Sequence, residues 1–251
     1  MMESQNDRLV GKKKNIIITG ASRGLGKAIA EKFAAHGYDL YICSQNEIAL
    51  YKALEELQTR YPKINIKAKP FDLSQKEQAK AFGNWVLSLG ISIDVLVNNA
   101  GSFLPGNIYD EAEDTLEKMI ETNLYSAYHL TRTLLPKMMQ QDKSSGSRGH
   151  IFNMCSIASL QAYPNGGSYS ISKFALAGFS KNLREELKEH LIKVTAVYPG
   201  AAYTDSWVGS GVDPKRIMEA KDIAEMIFSA SQLSAQATVE DIVLRPQLGD
   251  L

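Results

Sequence analysis

Short runs of β-branched residues alternate along the chain with longer stretches whose apolar positions recur every three or four residues. Repeated βα units around a parallel sheet give this pattern. The runs predict seven strands: Asn15 to Thr19, Tyr38 to Ser44, Ile64 to Pro70, Asp94 to Asn98, His150 to Ser156, Lys193 to Tyr198 and Val239 to Arg245. The helical spacing predicts helices over Leu25 to His36, Glu47 to Arg60, Gln75 to Leu89, Asp114 to Gln140, Tyr169 to His190 and Lys221 to Gln232. Gly37 and Gly90 each follow a predicted helix end, where a left-handed residue is wanted. Ser74 and Glu77 have capping-box spacing ahead of the third helix. Pro136 interrupts the longest helix and predicts a kink after Leu135.

No Pro/Gly/Ser-rich linker divides the chain. The expectation is therefore one α/β domain over residues 15–251, a doubly wound, parallel, seven-stranded sheet with helices on both faces, behind a flexible segment of residues 1–14. Two stretches read as loops. Gln141 to Gly149 leads into a strand, whereas Ala201 to Pro214 follows a strand's carboxyl end, where open parallel sheets hold ligands.

Composition narrows the function. The 251 residues are 44% hydrophobic and 22% charged, as in a soluble globular protein with a large core. Lys plus Arg and Asp plus Glu are 28 each, so no excess positive charge favours nucleic acid or an anionic membrane as partner. Cys43 and Cys155 lie in apolar stretches and read as buried thiols in a reducing compartment. Met1 to Lys14 is polar and lacks the apolar core of a signal peptide, and no apolar run is long enough to span a bilayer. A cytoplasmic protein is expected.

The first strand runs into Thr19-Gly20-Ala21-Ser22-Arg23-Gly24-Leu25-Gly26 and then directly into a helix. In such a turn Gly20 permits the tight bend, Gly24 lets backbone approach a pyrophosphate, and Gly26 lets helix pack on sheet. Free N–H groups and the helix dipole favour the anion, so the turn reads as a dinucleotide site. An acidic residue at the second strand's end would bond ribose hydroxyls and repel a 2′-phosphate. Here the strand ends Cys43-Ser44-Gln45-Asn46, without a carboxylate. Arg23 can pair with a phosphate, and Ser44 and Asn46 offer donors, so NADP(H) is expected rather than NAD(H). Asp72, after the third strand, could accept from an adenine amino group or could be a turn residue before Ser74.

Tyr169 and Lys173 lie four apart on a predicted helix, hence on one face. A free tyrosine titrates near about 10, and a neighbouring ammonium favours its phenolate. Such a pair can give a proton to a carbonyl oxygen as hydride arrives, or take it back. Ser156, at the end of the fifth strand, can hydrogen-bond the same carbonyl. Asn123, inside the longest helix, has modest helix propensity and could hold a local bend and a water beside Lys173.

With Asn98-Asn99-Ala100-Gly101 after the fourth strand and Pro199-Gly200 after the sixth, these motifs resemble the short-chain dehydrogenase/reductase family, from about Lys14 to Arg245. The resemblance implies a Rossmann fold and an NADP-dependent oxidoreductase. In it Tyr169 is the general acid/base and Ser156 orients the carbonyl. Lys173 holds the nicotinamide ribose and lowers the tyrosine pKa, and Asn123 completes a proton relay. It implies a cofactor site that also takes in Ser22, Leu25, Asn98, Ala100, Gly101, Pro199, Gly200 and Thr204, and no metal site. His150-Ile151-Phe152, the stretch Pro199 to Trp207 and the ending Val239 to Pro246 look like bacterial sepiapterin-reductase-like members, implying a pterin-like ketone or another bulky dicarbonyl. Loop aromatics Phe103, Tyr163, Tyr203 and Trp207 are the candidate substrate contacts. A 3-oxoacyl-(acyl-carrier-protein) reductase, or an NADP-binding sensor or scaffold without turnover, are the alternatives. Leu116, Met119, Ile120, Tyr128, Leu130 and Leu134 surround more of the long helix than one sheet-facing stripe requires. That excess and the resemblance imply a homodimer or homotetramer.

Overall fold

Along the first strand, β1 (Asn15–Thr19), three isoleucines are wholly buried although side chains alternate between the sheet's faces. Ile16 and Ile18 join one core and Ile17 another, so both faces of this strand are covered. That explains why it reads as a continuous apolar run rather than an alternating one. The computed structural model describes residues 13–142, 144 and 146–251. Residues 1–12, and with them nearly all of the expected N-terminal segment, lie outside the described residues.

The chain continues through α1 (Gly24–Ala35), β2 (Asp39–Ser44), α2 (Glu47–Arg60), β3 (Ile66–Pro70), α3 (Lys76–Ser88), β4 (Val95–Asn98), α4 (Thr115–Ile120), α5 (Ser126–Gln140), β5 (Gly149–Met154), α6 (Gly167–Leu187), β6 (Ile192–Pro199), β7 (Ala202–Tyr203), β8 (Met218–Glu219), α7 (Ala220–Ser231) and β9 (Asp241–Leu244). Seven strands form one parallel sheet in the order β3-β2-β1-β4-β5-β6-β9. The winding reverses between β1 and β4, so the crevice lies beyond their carboxyl ends. Helices α1, α2 and α7 cover one face through Phe33, Leu50, Leu57, Ile223 and Ile227. Helices α3, α5 and α6 cover the other through Phe82, Val86, Leu130, Leu134 and Leu183. The edge strand β3 turns Lys67 and Lys69 outward, a charged edge that discourages pairing with another chain. No helix among the described residues is long and apolar enough to cross a membrane.

Gly37 and Gly90 adopt φ values of 80° and 67°, as their places after α1 and α3 require. Two local expectations are corrected. Ser74 does not cap α3: its N–H and hydroxyl both bond Asp72 Oδ1, at 3.1 and 2.7 Å, and Gln75 stands at the cap. The helix expected over Asp114 to Gln140 is broken at Glu121–Tyr125, which winds as a π-helix, and α5 runs on through Pro136. The sequence also gave no sign of the two-residue pair β7–β8, which folds the stretch after β6 back on itself.

Candidate active site

The glycine turn has the backbone its residues were expected to serve. Gly20 and Gly24 sit at φ 64° and 55°. A Cβ on Gly26 would lie 2.3 Å from the Gly20 carbonyl oxygen, so only glycine fits there. The turn is pinned to the end of β4 by Thr19 and Asn99, two motif residues to which the sequence alone assigns no role. Thr19 Oγ1 accepts from the backbone N–H groups of Asn99 and Ala100, at 2.9 and 2.8 Å. The Asn99 amide donates to the Thr19 and Gly20 carbonyls, at 2.9 and 3.2 Å. Thr204, from the loop after β6, comes within 3.4 Å of where a Gly24 Cβ would stand, so that loop borders the same turn.

Beside the turn, Ser22 and Ser44 share a hydrogen bond of 2.9 Å between their hydroxyls. Arg23 is exposed, at the cap of α1, and forms no ion pair among the described residues. Asn46 caps α2, its side-chain oxygen accepting from Ala49 N–H at 2.9 Å. Asp72 is a turn residue: its carboxylate accepts from Ser74 and from the side chains of Gln45 and Gln75. Leu25 packs against the core under α1. The Asn98 side chain points away from the crevice, donating to Thr131 Oγ1 at 2.9 Å and Asn153 Oδ1 at 2.8 Å in a buried network, so only its main chain can border a cofactor.

Across β4 and β5 the polar groups of the second motif converge. Lys173, 5% exposed, donates to the Met154 carbonyl at 2.8 Å, and its ammonium lies 5.7 Å from the Tyr169 ring centre. A Cβ on Gly101 would stand 2.9 Å from Asn123 Oδ1 and 3.4 Å from Lys173 Nζ, so both groups close on this glycine. Asn123 is fully engaged. Its Oδ1 accepts from Ser102 N–H at 2.8 Å, and its amide donates to the Ser102 carbonyl at 3.1 Å and Ser172 Oγ at 2.9 Å. Ser172 in turn donates to the Tyr169 carbonyl at 2.7 Å. The amide therefore ties the loop after β4 to α6.

Ser156 lies two residues beyond β5 and opens a short 3₁₀ turn over Ile157–Ser159. Its Oγ accepts from Ala158 N–H at 3.1 Å, which orients the oxygen and leaves the hydroxyl proton to donate elsewhere. Two of the four candidate aromatics join this centre. The Phe103 ring meets Tyr169 edge-on with centres 4.9 Å apart. Tyr163, beside Tyr169, has its phenol pushed up to about 12 by burial, with the Tyr169 charge adding to it. The other two lie in the stretch after β6. Tyr203 pairs in register with Glu219, and Trp207 ends the turn that begins after Thr204, without an aromatic neighbour among the described residues. Cys155, near Lys173, is buried, and burial pushes its thiol up to about 11. Among the described residues no group of three or more metal-ligating side chains occurs.

Comparisons with known proteins agree with one another. Residues 14–213 match the profile described as short chain dehydrogenase. A 3alpha-hydroxysteroid dehydrogenase of Mediterraneibacter gnavus is 30% identical, over 91% of this chain and 94% of its own. The alcohol dehydrogenase of the archaeon Thermococcus sibiricus, solved with 5-hydroxy-NADP, is 27% identical with a TM-score of 0.84, over 94% of this chain and 97% of that one. The L-sorbose reductase of Gluconobacter frateurii, solved with NADPH and L-sorbose, is 26% identical with a TM-score of 0.82, over 93% and 95%.

Proposed function

The chain belongs to the short-chain dehydrogenase/reductase family, oxidoreductases that act on CH–OH groups with NAD(P), and from that premise we propose that it is an NADPH-dependent carbonyl reductase for bulky or aromatic ketones. The convergence of Lys173 and Asn123 on Gly101, beside the glycine turn, with the Tyr169 ring 5.7 Å from the Lys173 ammonium and the Tyr169 carbonyl tied to Asn123 through Ser172, carries this reading. Residues 15–251 then act as one NADP-binding domain with its own catalytic centre.

The residues present fit the cofactor. The left-handed glycines and the missing Cβ at Gly26 leave a backbone cradle for the pyrophosphate. Arg23, Ser44 and the Asn46 amide would receive the 2′-phosphate. Gly101, Ala100, Pro199, Gly200 and Thr204 would line the nicotinamide half. When bound, the reduced nicotinamide supplies the hydride.

The chain's own residues do the rest. Ser156 donates its free hydroxyl proton to the carbonyl oxygen and fixes its direction. The Tyr169 phenol gives its proton to that oxygen as negative charge develops. Lys173 has three donors and spends one on Met154, so two remain for the ribose hydroxyls while its charge stays near the phenol. Asn123 acts by holding Ser102 and Ser172 in place.

Phe103 and Tyr163 stand next to Tyr169 and favour a flat or bulky substrate, with Tyr203 and Trp207 closing from the loop after β6. A pterin-like ketone or an aromatic diketone suits such walls, and the relative acting on a hydroxysteroid is consistent with a large apolar substrate. Leu116, Tyr125, Ile171 and Phe174 are each about two-fifths exposed along α4 to α6, which supports a homo-oligomer through these helices. Met119, Leu130 and Leu134 do not contribute to that surface, since they are buried in the chain's own core. The test is a carbonyl panel with the purified protein and NADPH, read by nicotinamide absorbance. Aromatic diketones should turn over best, and Tyr169→Phe should lose about 10²- to 10⁴-fold in rate. Turnover unaffected by that substitution would overturn the assignment of the proton donor.

A further inference from the structure

Helix α6 carries Tyr169 in its first turn, yet that turn holds no acidic residue and its cap, Gly166, has no side chain to offer. A 21-residue helix leaves four unpaired N–H groups and a positive pole at its start. The acceptor comes instead from the loop after β4, 57 residues upstream of Ser168. Glu111 Oε2 accepts from Ser168 N–H at 3.2 Å, and Oε1 accepts from the Ser168 hydroxyl.

The surrounding backbone is cut to fit this carboxylate. A Cβ on Gly167 would lie 2.8 Å from Glu111 Oε2 and 2.6 Å from the Gly106 carbonyl oxygen, and one on Gly106 would lie 2.8 Å from Glu111 Cβ. Neither glycine has a left-handed φ, so both are needed for room. Gly106 forms a parallel bridge with Gly166 and donates its N–H to the Asn165 carbonyl at 3.2 Å, while Asn165 N–H donates to Asn107 Oδ1 at 3.1 Å. The loop is thus latched to the entry of α6. That loop also carries Phe103, whose ring meets the Tyr169 ring.

We propose that Glu111 is a positioning residue: acting through Ser168, it fixes the first turn of α6 and so the aim of the Tyr169 phenol, and it locks that aim to the Phe103 loop. Tyr169 is held twice, by its backbone from Glu111 and by its ring from Phe103. Glu111 itself touches neither substrate nor cofactor; both its oxygens are spent on Ser168. The proposal rests on the reading of Tyr169 as the proton donor.

The experiment uses the full chain with phenylpropanedione, an aromatic diketone, and NADPH or NADPH deuterated at the transferred position. Glu111→Ala should lower kcat by about tenfold or more, as expected when a reacting group loses its alignment. NADPH affinity should stay unchanged, and the deuterium isotope effect on kcat should rise because chemistry becomes slower relative to release. Glu111→Gln keeps an oxygen for the Ser168 N–H and an amide donor for the hydroxyl, and should recover most of kcat. Ser168→Ala, a smaller change should Glu111→Ala fail to fold, should reproduce the rise in isotope effect. In a Tyr169→Phe background Glu111→Ala should add no further loss. A folded Glu111→Ala enzyme with unchanged kcat, or one whose kcat falls without any change in isotope effect, would overturn the proposal. Full activity of Tyr169→Phe alone would instead overturn the proton-donor reading.

Discussion

The Gly26 backbone passes so near Gly20 that a methyl group on Gly26 would stand 2.3 Å from the Gly20 carbonyl oxygen and 2.5 Å from the Asn99 amide nitrogen. The same amide holds the Thr19 and Gly20 carbonyls, so the obstruction falls on the joint between β1, α1 and the end of β4. Gly26→Ala must therefore push the turn and Asn99 apart together. We expect a loss of about 1–3 kcal/mol in urea unfolding, as for other overpacked sites, with NADPH binding weakened as well. Unaltered unfolding and unaltered NADPH binding would show that the turn yields without strain.

Arg23 stands exposed at the start of α1 without an ion pair among the described residues, beside the hydroxyls of Ser22 and Ser44. Arg23→Ala should weaken NADPH by about 1–3 kcal/mol, the value of a charged hydrogen bond, and leave NADH nearly unchanged. Titration calorimetry with both dinucleotides checks this. Equal losses would assign Arg23 to the pyrophosphate or to the fold.

Trp207 ends the short turn after Thr204 and has no aromatic neighbour of its own among the described residues. Trp207→Ala should raise KM for an aromatic diketone roughly tenfold, about 1.4 kcal/mol and near the top of the range for ring contacts. KM for a small aliphatic ketone should hardly move. Equal increases for the two substrates would make Trp207 a support of the loop.

The exposed pair Ile171 and Phe174 lies on the outer side of α6. At micromolar concentration the protein should sediment at two or four times its chain mass of 27.7 kDa, and Ile171→Glu with Phe174→Glu should reduce it to one chain. A wild-type mass of one chain would contradict the oligomer.

His150, 4% exposed, is a buried base of the sheet. Thr195 gives its hydroxyl proton to the Val239 carbonyl, so it must accept from His150 Nε2–H at 2.7 Å, and Nδ1 is left bare and buried. Burial, with Lys193 adding to it, holds the imidazole down to about 3 from the ordinary 6.5. The unfolded chain then binds the proton more readily than the folded one. Stability from this group is complete above pH 6.5 and is lost as pH falls toward about 3, at up to about 1.4 kcal/mol per pH unit. Urea unfolding between pH 7 and 4 should show a shallower decline for His150→Leu than for wild type. Parallel declines would mean that other groups carry the slope.

What could be read ahead of the structure follows from how local each signal is. Ile16 to Ile18, and the glycines of the turn, announce themselves because burial on two faces and a left-handed φ each leave a mark at a single position. Asn98 and Asn99 are indistinguishable as letters. One faces into the sheet and joins a buried network, and the other lies just past the strand end and ties the turn, a difference set by where β4 stops. Helix propensity alone did not reveal that Asn123 sits in a π turn, although a polar residue needing a partner there was a correct clue. Glu111 left no trace, since its partner is far along the chain and nothing in the spacing points to it.

The buried chain of Thr131, Asn98, Asn153 and Ser180 links α5, β4, β5 and α6 in turn. Apolar contacts between helix and sheet have no direction and tolerate a small slide along the axis. Amides and hydroxyls do not, because a shift of even part of a helical turn, about 5.4 Å in full, strands them unpaired. The network therefore works as a vernier for α6, setting how far along the sheet the helix rests. Ser180 sits three turns behind Tyr169, so the height of the phenol along the sheet is calibrated from deep within the protein, by side chains buried in its core.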